Sequence, residues 1–274
     1  MLTTRKGFRL DGGPTPAAAL VGDVWRARSV LAILARKEFF VRYRRASLGL
    51  AWAIVLPLVQ AIVLSVVVSR FVRFHTGVNY AVFVYSGTLA WNYFSGSLSA
   101  GAGAIVDGQD MSTKVYFPRA LFPLTAVASG LYGLVLSMFV LLALSVAVGA
   151  GVGLHAFLLI PALGLTILLS ASFSLVLALL QVYFRDIRYI VQASLIAWFY
   201  ITPVFYPLRA VGHLRPYVQA NPVTGIVELF RAATVGTDPG WGVAIWWTFG
   251  WSAALLVLAV RLYRTYDRTC TDLL

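Results

Sequence analysis

Six apolar runs, at residues 48–69, 81–106, 121–149, 157–182, 189–205 and 241–260, leave this chain little choice of solvent. Each is long enough, as a helix rising about 1.5 Å per residue, to cross about 30 Å of hydrocarbon. Within lipid the backbone must satisfy its own polar groups, so the runs are predicted to be transmembrane helices. With 60% of residues hydrophobic and 12% charged, the balance fits a polytopic membrane protein and not one soluble core. An all-α, six-span chain has both termini on one side.

Charge sets the orientation. Outside the runs, 17 Lys and Arg lie on the side of the N-terminus and 5 on the other, a positive-inside bias that puts both termini in the cytoplasm. The net charge of +12 does not point to nucleic acid, because 13 of the 22 basic residues lie before residue 48 or beyond 260, flanking the spans. Residues 1–22 read as a loose cytoplasmic tail, and 263–274 as a second one. Between residues 23 and 45, Val24, Ala27, Val30, Leu31, Leu34 and Val41 fall within about a third of a helix circumference, with Arg26, Arg28, Arg36 and Arg44 outside it. That pattern, within 23–47, predicts a basic amphipathic helix on the inner leaflet. A packed surface helix is the plainer alternative.

Residues 48–262 then form the transmembrane unit, interrupted at two places that are not plain span. The segment 107–123, DGQDMSTKVYFPRALFP, is too polar for lipid. Asp107, Gly108 and Asp110 supply a break and capping groups, residues 111–116 have room for one or two helical turns, and Pro118 stops them. The reading is a short cytoplasmic helix, against an ordinary solvated loop. In residues 206–240, between the fifth and sixth runs, Pro207, Pro216 and Pro222 cut the chain into short pieces and residues 223–233 suit a helix. Glu228 and Arg231 are spaced to pair on one face of it. A re-entrant hairpin is expected there, tolerated at membrane depth only inside protein or beside water; an ordered outer loop is the alternative. Trp91, Tyr93, Phe94, Trp198, Phe199 and Tyr200 are either interfacial anchors or an aromatic face for sugar rings.

Absences narrow the chemistry. The spans carry no Asp, Glu, Lys or His at mid-depth, which disfavours a proton relay. None of the three lysines, Lys6, Lys37 and Lys114, follows a glycine, so there is no phosphate loop. One cysteine, Cys270, and three scattered histidines give neither a disulfide framework nor metal spacing. No bound cofactor is expected, and no catalytic constellation faces either membrane surface.

Four stretches carry a resemblance: RKEFFVRYRRASLGLAWAIVLPLVQ, then LAWNYFSGSL with STKVYFPRALFPLT, then YFRDIRYIVQASLIAWFYITPVFYP, then NPVTGIVELFR. In this order, from residue 36 to 231, the chain resembles the membrane subunit of ABC-2 exporters of lipid-linked polysaccharide, with a type V exporter-like transmembrane domain. The long N-terminal tail and GSLSAGAGAIV depart from the family pattern. The resemblance implies a homodimer in the bacterial inner membrane, each copy on a separate ATP-binding subunit that holds ATP and Mg. It makes residues 107–123 a coupling helix docked through Asp110, Lys114, Tyr116, Phe117, Pro118 and Arg119. It places Arg36, Arg42, Arg44 and Arg45 on the interface helix and the six aromatic residues in the channel lining. Phe205, Tyr206, Asn221, Pro222, Glu228 and Arg231 become an outer gate. A permease for a drug or lipid, and a membrane-embedded glycan transferase, are the competing readings.

Overall fold

The computed structural model describes residues 17–71, 74, 79–108, 118–149, 153–236 and 242–266, with residues 17–21 and 266 as backbone alone. Among them every regular element is helical: α1 (Ala17–Arg26), α2 (Arg28–Tyr43), α3 (Trp52–Phe71), α4 (Tyr80–Asp107), α5 (Leu121–Ala147), α6 (Leu159–Tyr183), α7 (Ile187–Ile201), α8 (Arg215–Ala220), α9 (Thr224–Val235) and α10 (Val243–Tyr266). Short 3₁₀ turns at Gly49–Ala51, Leu154–Leu158 and Leu208–Leu214 lead into α3, α6 and α8.

Helix α4 is the hub. It packs against α3, α5, α6, α7 and α9, while α10 lies on α6 and α2 lies across α5. Among the described residues, four segments are long and apolar enough to cross a membrane, Gly49–Phe71, Leu121–Ala147, Leu154–Tyr183 and Val243–Thr265, so the chain is a multi-pass membrane protein. Helix α4 has the length, 28 residues or about 42 Å, but dilutes its apolar residues with glycine and serine. With 15 residues, about 22 Å, α7 is shorter than the hydrocarbon is thick.

Small residues explain the hub. A methyl group at Gly101 would stand 2.6 Å from the Ser174 side chain, so α4 and α6 approach as closely as a bare backbone permits. Some hydroxyls buried there bond back along their own helices, as Thr88 does to the Val84 carbonyl and Thr166 to that of Ala162. Pro57 inside α3 cannot bond the Ala53 carbonyl one turn back, and Ser137 of α5 donates to that carbonyl at 3.4 Å instead. By contrast α3 turns Leu56, Val59, Ile62, Val63 and Val66 outward.

Three sequence expectations need correction. The 23–45 helix is two helices, broken at Ala27. The fully buried residues of α2 are Ala35 and Phe39, with Phe39 stacked 5.2 Å from Tyr132; Val30, Leu31 and Leu34 of the expected stripe are half-buried, and Val41 is exposed. Helix α7 ends at Ile201, short of residue 205, because Thr202 precedes Pro203 and is extended (φ −81°, ψ 135°). Helix α10 runs on past residue 260 to Tyr266.

Candidate functional site

Two polar knots hold α7, one at each end. At the end away from the 107–123 segment, Asn221 is the centre. Its Oδ1 accepts from the Trp198 indole at 2.9 Å and from the Val223 amide at 3.0 Å, and its Nδ2 donates to Thr202 Oγ1 at 2.9 Å. Next to it, α9 buries every residue except Glu228. Arg231 on this helix is 1% exposed, donates to Glu228 at 2.8 Å and to the Val204 carbonyl at 2.7 Å, and lies 3.6 Å from the Phe83 ring centre. A fully buried guanidinium is tolerable only with such partners. Gly87 makes room for them, since a methyl group there would stand 2.6 Å from the Val204 carbonyl oxygen.

The remaining far-end residues join this knot. Tyr80 donates to the Phe205 carbonyl, Tyr206 donates to the Ile201 carbonyl at 2.7 Å, and the Pro222 carbonyl accepts from Thr248 of α10 at 2.6 Å. Phe205, Tyr206, Asn221, Pro222, Glu228 and Arg231 thus form one connected cluster, within which α9 meets the requirement that a re-entrant helix be enclosed by protein.

At the opposite end, Nη2 of Arg188 donates to both carboxylate oxygens of Asp107 at 2.7 Å. That carboxylate also pushes the Arg188 guanidinium pKa up, through the hydrogen bond first and its charge second. Gln181, in the last turn of α6, accepts from the Arg188 amide at 2.7 Å and donates to the Arg185 carbonyl at 2.9 Å. The ends of α4, α6 and α7 therefore meet in one place. Gly108, which closes α4, lies against the Phe122 ring of α5, where a methyl group would come within 2.5 Å. Both feet of the 107–123 segment are in contact.

Of the residues expected on the coupling helix, Pro118 and Arg119 begin the turn into α5, with Pro118 accepting from the Leu121 amide at 2.9 Å. Nη1 of Arg119 is enclosed and has no hydrogen-bond partner among the described residues. Asp110, Lys114, Tyr116 and Phe117 lie outside the described residues. On α2 and just beyond it, Arg36, Arg42, Arg44 and Arg45 are all exposed. Arg42 pairs with Glu38 at 3.6 Å and Arg36 sits 5.7 Å over the Phe40 ring.

The aromatic residues divide. Trp91 and Phe94 are buried inside the subunit, where Phe94 meets Trp198 at 5.4 Å and Phe173 at 5.7 Å, and Trp91 meets Phe199 at 5.6 Å. They form a core between α4, α6 and α7 and present no free face in this arrangement. Tyr200 is 63% exposed. Tyr93 instead borders a cavity of about 520 Å³ between α2, α3, α4 and α5, whose polar wall includes Gln60, Asn92 and Ser99. Among the described residues no three metal-ligating side chains come together.

A helical bundle with four segments long and apolar enough to cross a membrane among its described residues is that of a multi-pass membrane protein. The chain is a member of the ABC-2 type transporter family, whose profile matches residues 29–235. It is 33% identical over 216 residues to an O-antigen export system permease protein of Myxococcus xanthus, covering 78% of this chain and 83% of that one. A Klebsiella pneumoniae protein of the same description is 24% identical over 74% of this chain and 78% of its own length. The polysialic acid transport protein of Escherichia coli is 25% identical over 84% and 91%. Sequence reasoning missed the Asp107–Arg188 pair, whose members are 81 residues apart; a polar acid at one span end and FRDIR at another were the available signal.

Proposed function

We propose that this chain is the permease subunit of an exporter that moves a lipid-linked polysaccharide, of O-antigen, galactan or teichoic-acid type, across the bacterial inner membrane. The observation that carries this reading is the 33% identity to the Myxococcus permease over most of both chains, without a phosphate loop in this one. A transport subunit of this kind takes its energy from a second chain. ATP and Mg sit on that ATP-binding subunit, two copies of which pair with two copies of the permease. Residues 107–123 are the coupling element and lie, with both termini, in the cytoplasm. Helices α4 and α7 complete a count of six membrane segments, and the Asn221–Arg231 cluster closes the outer end.

The test is export in proteoliposomes that contain this chain and its ATP-binding partner, with a defined lipid-linked glycan as cargo. ATP-dependent appearance of glycan on the far side supports the proposal. ATP-dependent movement of an unglycosylated lipid or a drug, with no glycan moved, contradicts it.

A further inference from the structure

We infer that Asp107, Gly103 and Arg188 are positioning residues that form the joint through which displacement of the 107–123 segment is delivered to α7. The inference rests on the coupling reading above, but its geometry stands apart from it. Helix α4 runs straight into the polar segment, and its last residue, Asp107, is the one that grips Arg188. Arg188 in turn sits in the first turn of α7.

An ordinary surface ion pair would not be built this way. The Arg188 guanidinium lies against the backbone of α4 at Gly103, where a methyl group would stand 2.0 Å from Nη2 and 2.8 Å from Cζ. Any side chain in that notch would force the guanidinium to move aside. The main chain of Arg188 is fixed as well, because Gln181 of α6 holds its amide at 2.7 Å. The side chain is thus seated and paired by α4, and the main chain behind it is anchored by α6.

The rest of α7 makes this joint matter. Apart from its buried Val191 and Leu195, the first two-thirds of the helix turn mostly outward, with Tyr189, Ile190 and Ile196 exposed. Its other end is tied through Trp198 and Thr202 to Asn221. A rod held firmly at two ends and loosely between them passes a push from one end to the other, as rigid elements do between two states. Gly108 and Phe122, at the two feet of the 107–123 segment, are in contact, so a force at that base moves the end of α4 and, through Arg188, the start of α7.

The experiment uses the whole complex in proteoliposomes and measures glycan exported per ATP hydrolysed. Asp107→Asn keeps the shape and removes the charge; Gly103→Ala keeps both charges and fills the notch. Each is expected to lower the ratio about tenfold while hydrolysis stays within about twofold, the range in which coupling residues act. The double variant is expected to be no worse than either single one, because both break the same joint. A purely structural role would lower complex yield and hydrolysis and leave the ratio alone. A wild-type ratio in Asp107→Asn, or losses that multiply in the double variant, would overturn the joint. A nitroxide at position 190, on Ile190→Cys with Cys270→Ser, supplies a readout that needs no cargo. Its nucleotide-dependent shift is expected in the parent and absent in Asp107→Asn. If the parent moves no glycan but the label shift behaves in this way, the proposed cargo is wrong and the joint is right.

Discussion

The two ends of α7 use the same pair of chemistries, a guanidinium and a carboxylate, in opposite surroundings. At the Asn221 end Arg231 is 1% exposed and Glu228 20%, inside a helix with no other solvent-facing residue. At the Asp107 end Arg188 is 37% exposed and Asp107 62%. Desolvation makes a buried pair costly to break, whereas water screens an exposed one. On the proposed reading, the difference teaches that the Arg231 knot is scaffold and the Arg188 pair a joint, able to carry force while contributing little to stability.

That contrast can be broken by substitution. Arg231→Ala is predicted to cost about 3–5 kcal/mol, because it leaves Glu228 without its cation and empties the space under Phe83. Thermal unfolding in detergent would show this, and a loss under about 1 kcal/mol would contradict a scaffold role. Asn221→Ala removes three hydrogen bonds at once and should cost about 2–3 kcal/mol in the same assay, with Trp198 fluorescence shifted; an unchanged spectrum and melting point would argue that the knot is incidental. Glu228→Gln keeps an acceptor for Arg231 and should cost about 1–2 kcal/mol, less than deleting the cation; a larger loss than Arg231→Ala would invert the assignment. Asp107→Asn should shift stability by less than about 1 kcal/mol, and a loss of several would make the Asp107–Arg188 pair scaffold too.

The sequence made the helical, membrane-spanning class plain, and the reason shows in α3 and α4. Hydropathy reports contact with lipid, so α3, with Leu56, Val59 and Ile62 turned outward, announces itself. Helix α4 is buried by close backbone approach at Gly87, Gly101 and Gly103, and the small residues that permit this lower its hydropathy. Rotation about a helix axis was harder to read. Trp91 and Phe94 were expected in a channel lining, but a place in the sequence does not say which way a ring points, and they point into the subunit. The same limit applies to α2, whose deepest residue is Phe39 while Val41, at the end of the expected stripe, is exposed. Pairing Glu228 with Arg231 was legible because three residues of helix bring them together. Pairing Asp107 with Arg188 was not, because only the tertiary fold brings α4 and α7 to one corner.

Orientation decides between this account and its opposite. The chain has one cysteine, so Ser112→Cys in a Cys270→Ser background places a single thiol in the 107–123 segment. A membrane-impermeant maleimide should leave that thiol unlabelled on cells with a permeabilised outer membrane and an intact inner one, and label it in inverted inner-membrane vesicles. Labelling in the intact cells would put the segment on the outer face, where no ATP-binding subunit reaches it, and would contradict the account.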